Sequence, residues 1–158
     1  MDSMHVALLR GVNVGGKHIL PMKDLAAMFT AAGCTDICTY IQSGNVVFRA
    51  GRALARRIPD VIAQAIALRF GFTVPVVLRA ADELREVARG NPFLTTGADV
   101  ARLAVSFLAG VPDVARVALL DQNRSSPDAF AVRGREIYLR CPNGFAKTKL
   151  TNAYFDAV

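Results

Sequence analysis

The stretch TYIQSGNVVF, residues 39–48, places the tightest limit on what this chain can fold into. Two runs rich in β-branched and aromatic residues flank the polar tip Gln42–Ser43–Gly44–Asn45, the signature of a β-hairpin. A hairpin makes its two strands antiparallel neighbours. Folds built only from parallel strands alternating with helices are therefore excluded, and this bears directly on a second stretch, GVNVGGKH at 11–18. That stretch matches the phosphate-binding pattern GxxxxGK[ST] at every position but the last, where His18 stands. A true P-loop opens its helix at the lysine, so that backbone amides and the helix dipole face the phosphates. Here the helix signal begins only at Pro21, after Ile19 and Leu20. Histidine is also a poor ligand for magnesium, which prefers oxygen. The run Val117–Asp121 has the spelling of a Walker B strand but lies in a segment that reads as a helix opened by Pro112. Nucleotide hydrolysis of the P-loop kind is set aside.

Around the hairpin the chain reads as strand, helix, strand, strand, helix, strand. Residues 5–12 (HVALLRGV) are a continuous apolar run, as in a buried strand. Residues 21–33 carry Leu25, Met28, Phe29 and Ala32 on one helical face, with Pro21 suited to the first position and Gly33 to the end. Residues 52–70 have helical periodicity in Leu54, Ile58, Val61, Ile62, Ala65 and Ile66, and Gly71 terminates them. Pro59 inside that run predicts a kink or a later helix start. Residues 72–80 read as a strand, and Pro75 puts it at a sheet edge. This order is the ferredoxin-like βαββαβ unit. A short helix at 81–90 and a loop at 91–99 follow.

The pattern then restarts. A strand at 102–111 is followed by a proline-opened helix at 112–120 and a polar break. Strands at 128–132 and 136–141 form a second hairpin around Gly134, and a helix begins at 148. The expectation is an α+β protein of two ferredoxin-like halves in one compact unit. The first spans 1–80, and the second, with its linking helix, spans 81–158 and lacks a final strand. The edge left unpaired in that second half would suit pairing with a second copy of the chain.

Apolar residues make up 53% of the chain and charged residues 20%, enough to bury a core and too few charges for wholesale disorder. No apolar run approaches the length of a membrane span, and the N-terminus lacks the basic start of a signal peptide, so the expectation is a cytoplasmic protein with no membrane partner. Cys34, Cys38 and Cys141 are odd in number and form no CxxC, which argues against a disulfide framework and a zinc site. The net charge of +6 favours anionic partners. Its arginines are scattered, however, with no run longer than Arg56–Arg57. Nucleic acid is disfavoured as a partner without being excluded.

In a βαββαβ unit the first strand pairs antiparallel with the third. Its C-terminal end then lies beside the tip of the hairpin. Arg10, Asn13, Gly15, Gly16 and Lys17 are therefore expected to converge with Gln42, Ser43 and Asn45. Such a donor-rich cluster, with glycines that admit a close backbone approach, suits a phosphate or carboxylate. Equally, two turns can simply hydrogen-bond each other, with Asn13 and Asn45 capping backbone. Both readings stay open at this point.

Other candidates are weaker. His5 and His18 are the only histidines and stand apart, so no metal cluster is expected. Ser43 sits in no nucleophile elbow. Asp24, Asp36 and Asp60 lie near element ends, where capping is the ordinary role. Base stacking on a sheet face would need aromatics on central strands, where only Phe48 is offered, with Tyr40 on a neighbouring strand and Phe130 and Tyr138 spread over the second half. Lys147 and Lys149 flank the start of the last helix and could meet an anion there.

The run LLRGVNVGGKHILPM (8–22), its spacing to TYIQSGNVVF, the later NPF (91–93), REIYLRCPNG (135–144) and TKL (148–150) closely resemble the domain-of-unknown-function 1697 family of small bacterial proteins. The resemblance implies an α+β protein with ferredoxin-like halves and lends no catalytic residue or cofactor. It marks Arg10, Asn13, Gly15, Gly16, Lys17, Gln42, Ser43, Gly44 and Asn45 as characteristic positions. It also implies a further stretch beyond Val158, since family members usually continue with a Thr-Arg-Asn-Trp-like segment. The first expectation is thus a binding module for a small phosphorylated ligand at the loop and hairpin. The alternatives are an enzyme of unknown class at the same site, where no general base is evident, and an RNA-binding or interaction protein.

Overall fold

The computed structural model describes all residues, Met1–Val158, as two compact units, Met1–Glu86 and Val87–Val158. In the first unit a four-stranded sheet forms from β1 (Ser3–Leu9), β2 (Thr35–Tyr40), β3 (Asn45–Ala50) and β4 (Val76–Ala80), in the order β2-β3-β1-β4. Every neighbouring pair is antiparallel. Helices α1 (Met22–Ala31) and α2 (Arg52–Phe70) supply the connections after β1 and β3.

Strand alternation decides which residues face the helices. Ala7 and Leu9 of β1, Val46 and Phe48 of β3 and, from the helices, Leu25, Phe29, Ile58, Ile62 and Ile66 pack into one core cluster of seventeen buried residues. Phe29 and Phe48 meet with ring centroids 5.0 Å apart, which ties α1 to the sheet. Asp24 caps nothing. It pairs instead with Arg69 at 2.5 Å and so links α1 to α2. Asp36 likewise faces Arg49 across β2 and β3 at 3.1 Å rather than capping.

Two boundaries differ from expectation, the starts of α1 and β4, while α2 spans the expected 52–70 without the later start that Pro59 allowed. Helix α1 starts at Met22 with Pro21 as the residue before it, because Pro21 keeps an extended ψ of 133°. Helix α2 starts at Arg52 and runs through Pro59, its core face held by Ile58, Ile62 and Ile66 on either side of the proline. Strand β4 begins only after Pro75 and does lie at an edge of the sheet.

Helix α3 (Ala81–Arg89) follows β4. In the second unit β5 (Leu103–Phe107), β6 (Ala129–Arg133) and β7 (Glu136–Arg140) form an antiparallel sheet in the order β5-β7-β6. The expected helices here are short: α4 is Val114–Val117 and α5 is Asn152–Asp156. Asp113 opens α4 by accepting from the backbone of Ala115 and Arg116, so capping overrules Pro112 as the start. Residues 148–150 stay outside α5 because side chains take up their amides. Lys149 N–H donates to Ser125 Oγ at 3.0 Å, and Leu150 N–H donates to Thr148 Oγ1 at 3.2 Å. The core cluster of this unit has four buried residues, Phe130, Ile137, Leu139 and Leu150.

Candidate functional site

After Leu9 the chain leaves the sheet and turns back on itself. Asn13 N–H donates to His18 C=O and Lys17 N–H to Val14 C=O, each at 3.1 Å. The stretch is a miniature hairpin with a Val14–Lys17 bridge. Gly15 and Gly16 form its tip at φ +59° and +71°, the double positive φ of a type I′ turn. The P-loop spelling therefore folds into a hairpin, and α1 begins several residues later. His18 stacks on Phe72, with ring centroids 4.6 Å apart and an interplanar angle of 17°. That contact holds the base of the loop and was not legible in the sequence, because the two residues lie in different connections.

The β2–β3 turn is closed by its own serine. Ser43 Oγ donates to Tyr40 C=O at 2.5 Å and accepts from Asn45 N–H at 3.3 Å. Gly44 presses against β1: its C=O accepts from Leu9 N–H at 3.2 Å. A Cβ on Gly44 would stand 2.5 Å from Val12 Cγ2 and 3.1 Å from Leu9 Cβ.

Asn13 joins the two turns. Its Nδ2 donates to Leu20 C=O at 2.9 Å and to Gln42 C=O at 3.2 Å, and its Oδ1 accepts from Leu20 N–H at 2.7 Å. One amide thus pairs with the Leu20 backbone on one side and the hairpin tip on the other. Asn13 sits at φ +55°, a conformation that asparagine tolerates better than most residues.

The expected convergence of loop and hairpin is present, and its polar groups divide into two sets. The Asn13 amide and the Ser43 hydroxyl are engaged inside the cluster. Arg10, Gly15, Gly16, Lys17 and the Gln42 side chain lie exposed around it. Arg10 N–H donates to Pro75 C=O at 3.1 Å, which adds the start of β4 to the assembly. Asn45 pairs across the sheet with Leu8 and Tyr40, and so shares their face. The segments 10–23 and 37–50 contain no Asp or Glu.

The remaining sequence candidates take structural places. His5 is buried and stacks on Phe48. Phe48 itself is 0% exposed under α1, and Phe130 and Tyr138 are buried, so none of them offers a ring to a nucleobase. Tyr40 is exposed. At the last helix the Tyr154 amide is capped by Thr151 at 3.2 Å. The amides of Lys149 and Leu150 are engaged by Ser125 and Thr148. Cys34 and Cys141 are buried and Cys38 is exposed. No helix is long and apolar enough to cross a membrane.

All but the first two residues of the first unit, with β5, β6 and part of β7, fall within a match over residues 3–138 to the family described as proteins of unknown function, DUF1697. Among solved structures the chain is similar to the conserved bacterial protein SP0830 from Streptococcus pneumoniae, with a TM-score of 0.70 and 23% identity. The alignment covers 89% of this chain and 77% of that one, a likeness of fold. No curated protein matches the chain. With the greater part of its length matched, loop and hairpin included, the chain belongs to the DUF1697 family.

Proposed function

We propose that this protein is a binding module for a small anionic, phosphorylated ligand, held where the 10–18 loop meets the β2–β3 turn. The observation that carries the reading is a pairing of rigidity with charge. The two turns are locked to each other through Asn13, while Lys17 stands exposed in a segment free of carboxylates. A rigid frame lowers the ordering cost of binding. Lys17 and Arg10 would supply charge, the Gly15 and Gly16 amides would approach the phosphate closely, and the Gln42 side chain would orient it. Asn13, Ser43 and Asn45 would act as the frame and not as contacts.

The fold class proposed with this reading is a pair of ferredoxin-like halves. It is supported by the chain order βαββαβ of the first unit and its strand order β2-β3-β1-β4. It is supported too by the order β6-β7-β5 in the second, which repeats the first three strands of that arrangement. We place the protein in the cytoplasm, in keeping with three unpaired cysteines.

The test is a thermal-shift series with inorganic phosphate, ribose 5-phosphate and nucleotides on wild type and Lys17→Ala. A ligand at about one hundred times its Kd should raise the midpoint by roughly 5–10 °C, with most of the shift lost in Lys17→Ala. No shift with any phosphorylated compound would overturn the proposal.

A further inference from the structure

Four large apolar side chains stand exposed on the two turns that Asn13 joins. Val14 and Ile19 belong to the loop after β1, at 66% and 63% exposure, and Tyr40 and Ile41 precede the β2–β3 tip, at 65% and 70%. All four lie in the first unit. Apolar residues scattered singly over a surface need no explanation, but four on two joined turns mark a binding surface. Ile41 sits at φ +50°, a left-handed conformation that is strained for a β-branched residue. Glycine or asparagine would relieve the strain, yet the position carries an exposed isoleucine. Tyr40 is held by its own turn. Its C=O accepts from the Ser43 amide at 3.3 Å and from the Ser43 hydroxyl at 2.5 Å. Its register partner Asn45 stands opposite Leu8, so Tyr40 belongs to the sheet face away from Val46 and Phe48.

From this arrangement, and resting on the phosphate reading above, we infer that the ligand is a nucleoside 5′-phosphate. Its base would stack on Tyr40 beside Ile41 while Lys17 takes the phosphate. The path between the two groups is short. Lys17 bridges Val14, the chain neighbour of Asn13, and Asn13 bonds the carbonyl of Gln42, two residues from Tyr40. A base offers a π face to the ring and apolar surface to the isoleucine, neither of which a bare sugar phosphate has. The main chain of Tyr40 is pinned before any ligand arrives, so stacking carries little ordering cost. Neither 10–23 nor 37–50 contains a carboxylate side chain that would repel the phosphate.

The experiment is a calorimetric titration of the full chain with adenosine 5′-monophosphate, ribose 5-phosphate, octyl phosphate and a single-stranded oligonucleotide. The monophosphate should bind about tenfold or more tightly than ribose 5-phosphate, the gain expected from one stacked base. Tyr40→Ala should bring the monophosphate down to the level of ribose 5-phosphate and leave the latter unchanged, and Tyr40→Phe should keep the preference. Ile41→Asn should narrow the preference while raising the thermal midpoint, since asparagine tolerates the left-handed backbone. Lys17→Ala should weaken both ligands. Equal affinity for the two ligands, with both still dependent on Lys17, overturns this inference and leaves the phosphate reading standing. Binding of neither overturns both. The inference is overturned as well by a preference that survives Tyr40→Ala, or by octyl phosphate binding more tightly than the monophosphate, since the apolar patch then takes an alkyl chain. Binding of the oligonucleotide without the monophosphate also overturns it, the partner then being a nucleic acid strand.

Discussion

Asn13 Nδ2 lies 3.2 Å from the Gln42 carbonyl oxygen, and the same amide holds both backbone groups of Leu20. One side chain therefore fixes the post-β1 loop against the β2–β3 turn. Replacing it by alanine removes these bonds and leaves a β-carbon residue at φ +55°. We expect Asn13→Ala to destabilise the protein by about 2–4 kcal/mol, from two or three bonds at ~1 kcal/mol each and the left-handed backbone. Asn13→Gly, which relieves the backbone, should cost about 1 kcal/mol less. Urea denaturation measures both, and amide exchange should show lost protection at Leu20.

Gly44 and Gly16 are a matched test of space against conformation. Both have positive φ, +76° and +71°, but only Gly44 has Val12 and Leu9 against it. Gly16→Ala should cost about 1–2 kcal/mol for the backbone alone. Gly44→Ala adds overpacking, and the total should reach roughly 3–5 kcal/mol. Equal thermal midpoints for the two variants would contradict the close approach of the turn to β1.

Phe48 and Tyr40 exchange the roles that base stacking would need. Phe48 is buried between Phe29 and His5, whereas Tyr40 is exposed. Phe48→Ala should cost about 3–5 kcal/mol, and Tyr40→Ala should stay within about 0.5 kcal/mol. Chemical denaturation separates the two outcomes directly.

The cysteines give a pH-dependent readout. Burial pushes the Cys34 thiol up from its ordinary 9.0. Burial does the same at Cys141, opposed by a hydrogen bond with Thr148 and reinforced by Asp128. Fewer thiolates form at these positions, so a thiol reagent near pH 8 should modify Cys38 first and the other two only after unfolding. The sign of the stability effect follows from the raised values. The folded state keeps its thiols protonated where the unfolded chain ionises, so stability is complete below about pH 9 and falls as pH rises beyond it. Burial raises the Tyr138 phenol as well, so the Cys34→Ala, Cys141→Ala double variant should show a shallower fall in unfolding free energy between pH 8 and 10 than wild type.

Much of the architecture was legible. The hairpin around Gln42–Asn45 and the helical spacing in 21–33 and 52–70 are legible, and Leu25, Met28, Phe29, Ile58, Ile62 and Ile66 of those helical faces are in the core. The short helices α4 and α5 were not legible at their true lengths. Their ends are set by Asp113, Ser125, Thr148 and Thr151, whose side chains compete for backbone amides. Asp24 and Asp36 were misassigned as caps for a related reason: an ion pair depends on a distant partner, and Arg69 stands far from Asp24 in sequence.

The amino-acid sequence alone determined that Arg10–Lys17 and Gln42–Asn45 meet. Antiparallel pairing of the first and third strands follows from the order of elements, and it places those two turns at one end of the sheet. Only the tertiary structure decided what each polar group does there. Asn13 and Ser43 face the other turn or their own, and their donors are satisfied within it. Lys17 and the Gly15–Gly16 tip project outward because the miniature hairpin closes beneath them. Hydrogen-bond partners depend on distances of about 3 Å between segments far apart in the chain, a scale on which spacing and periodicity carry no information.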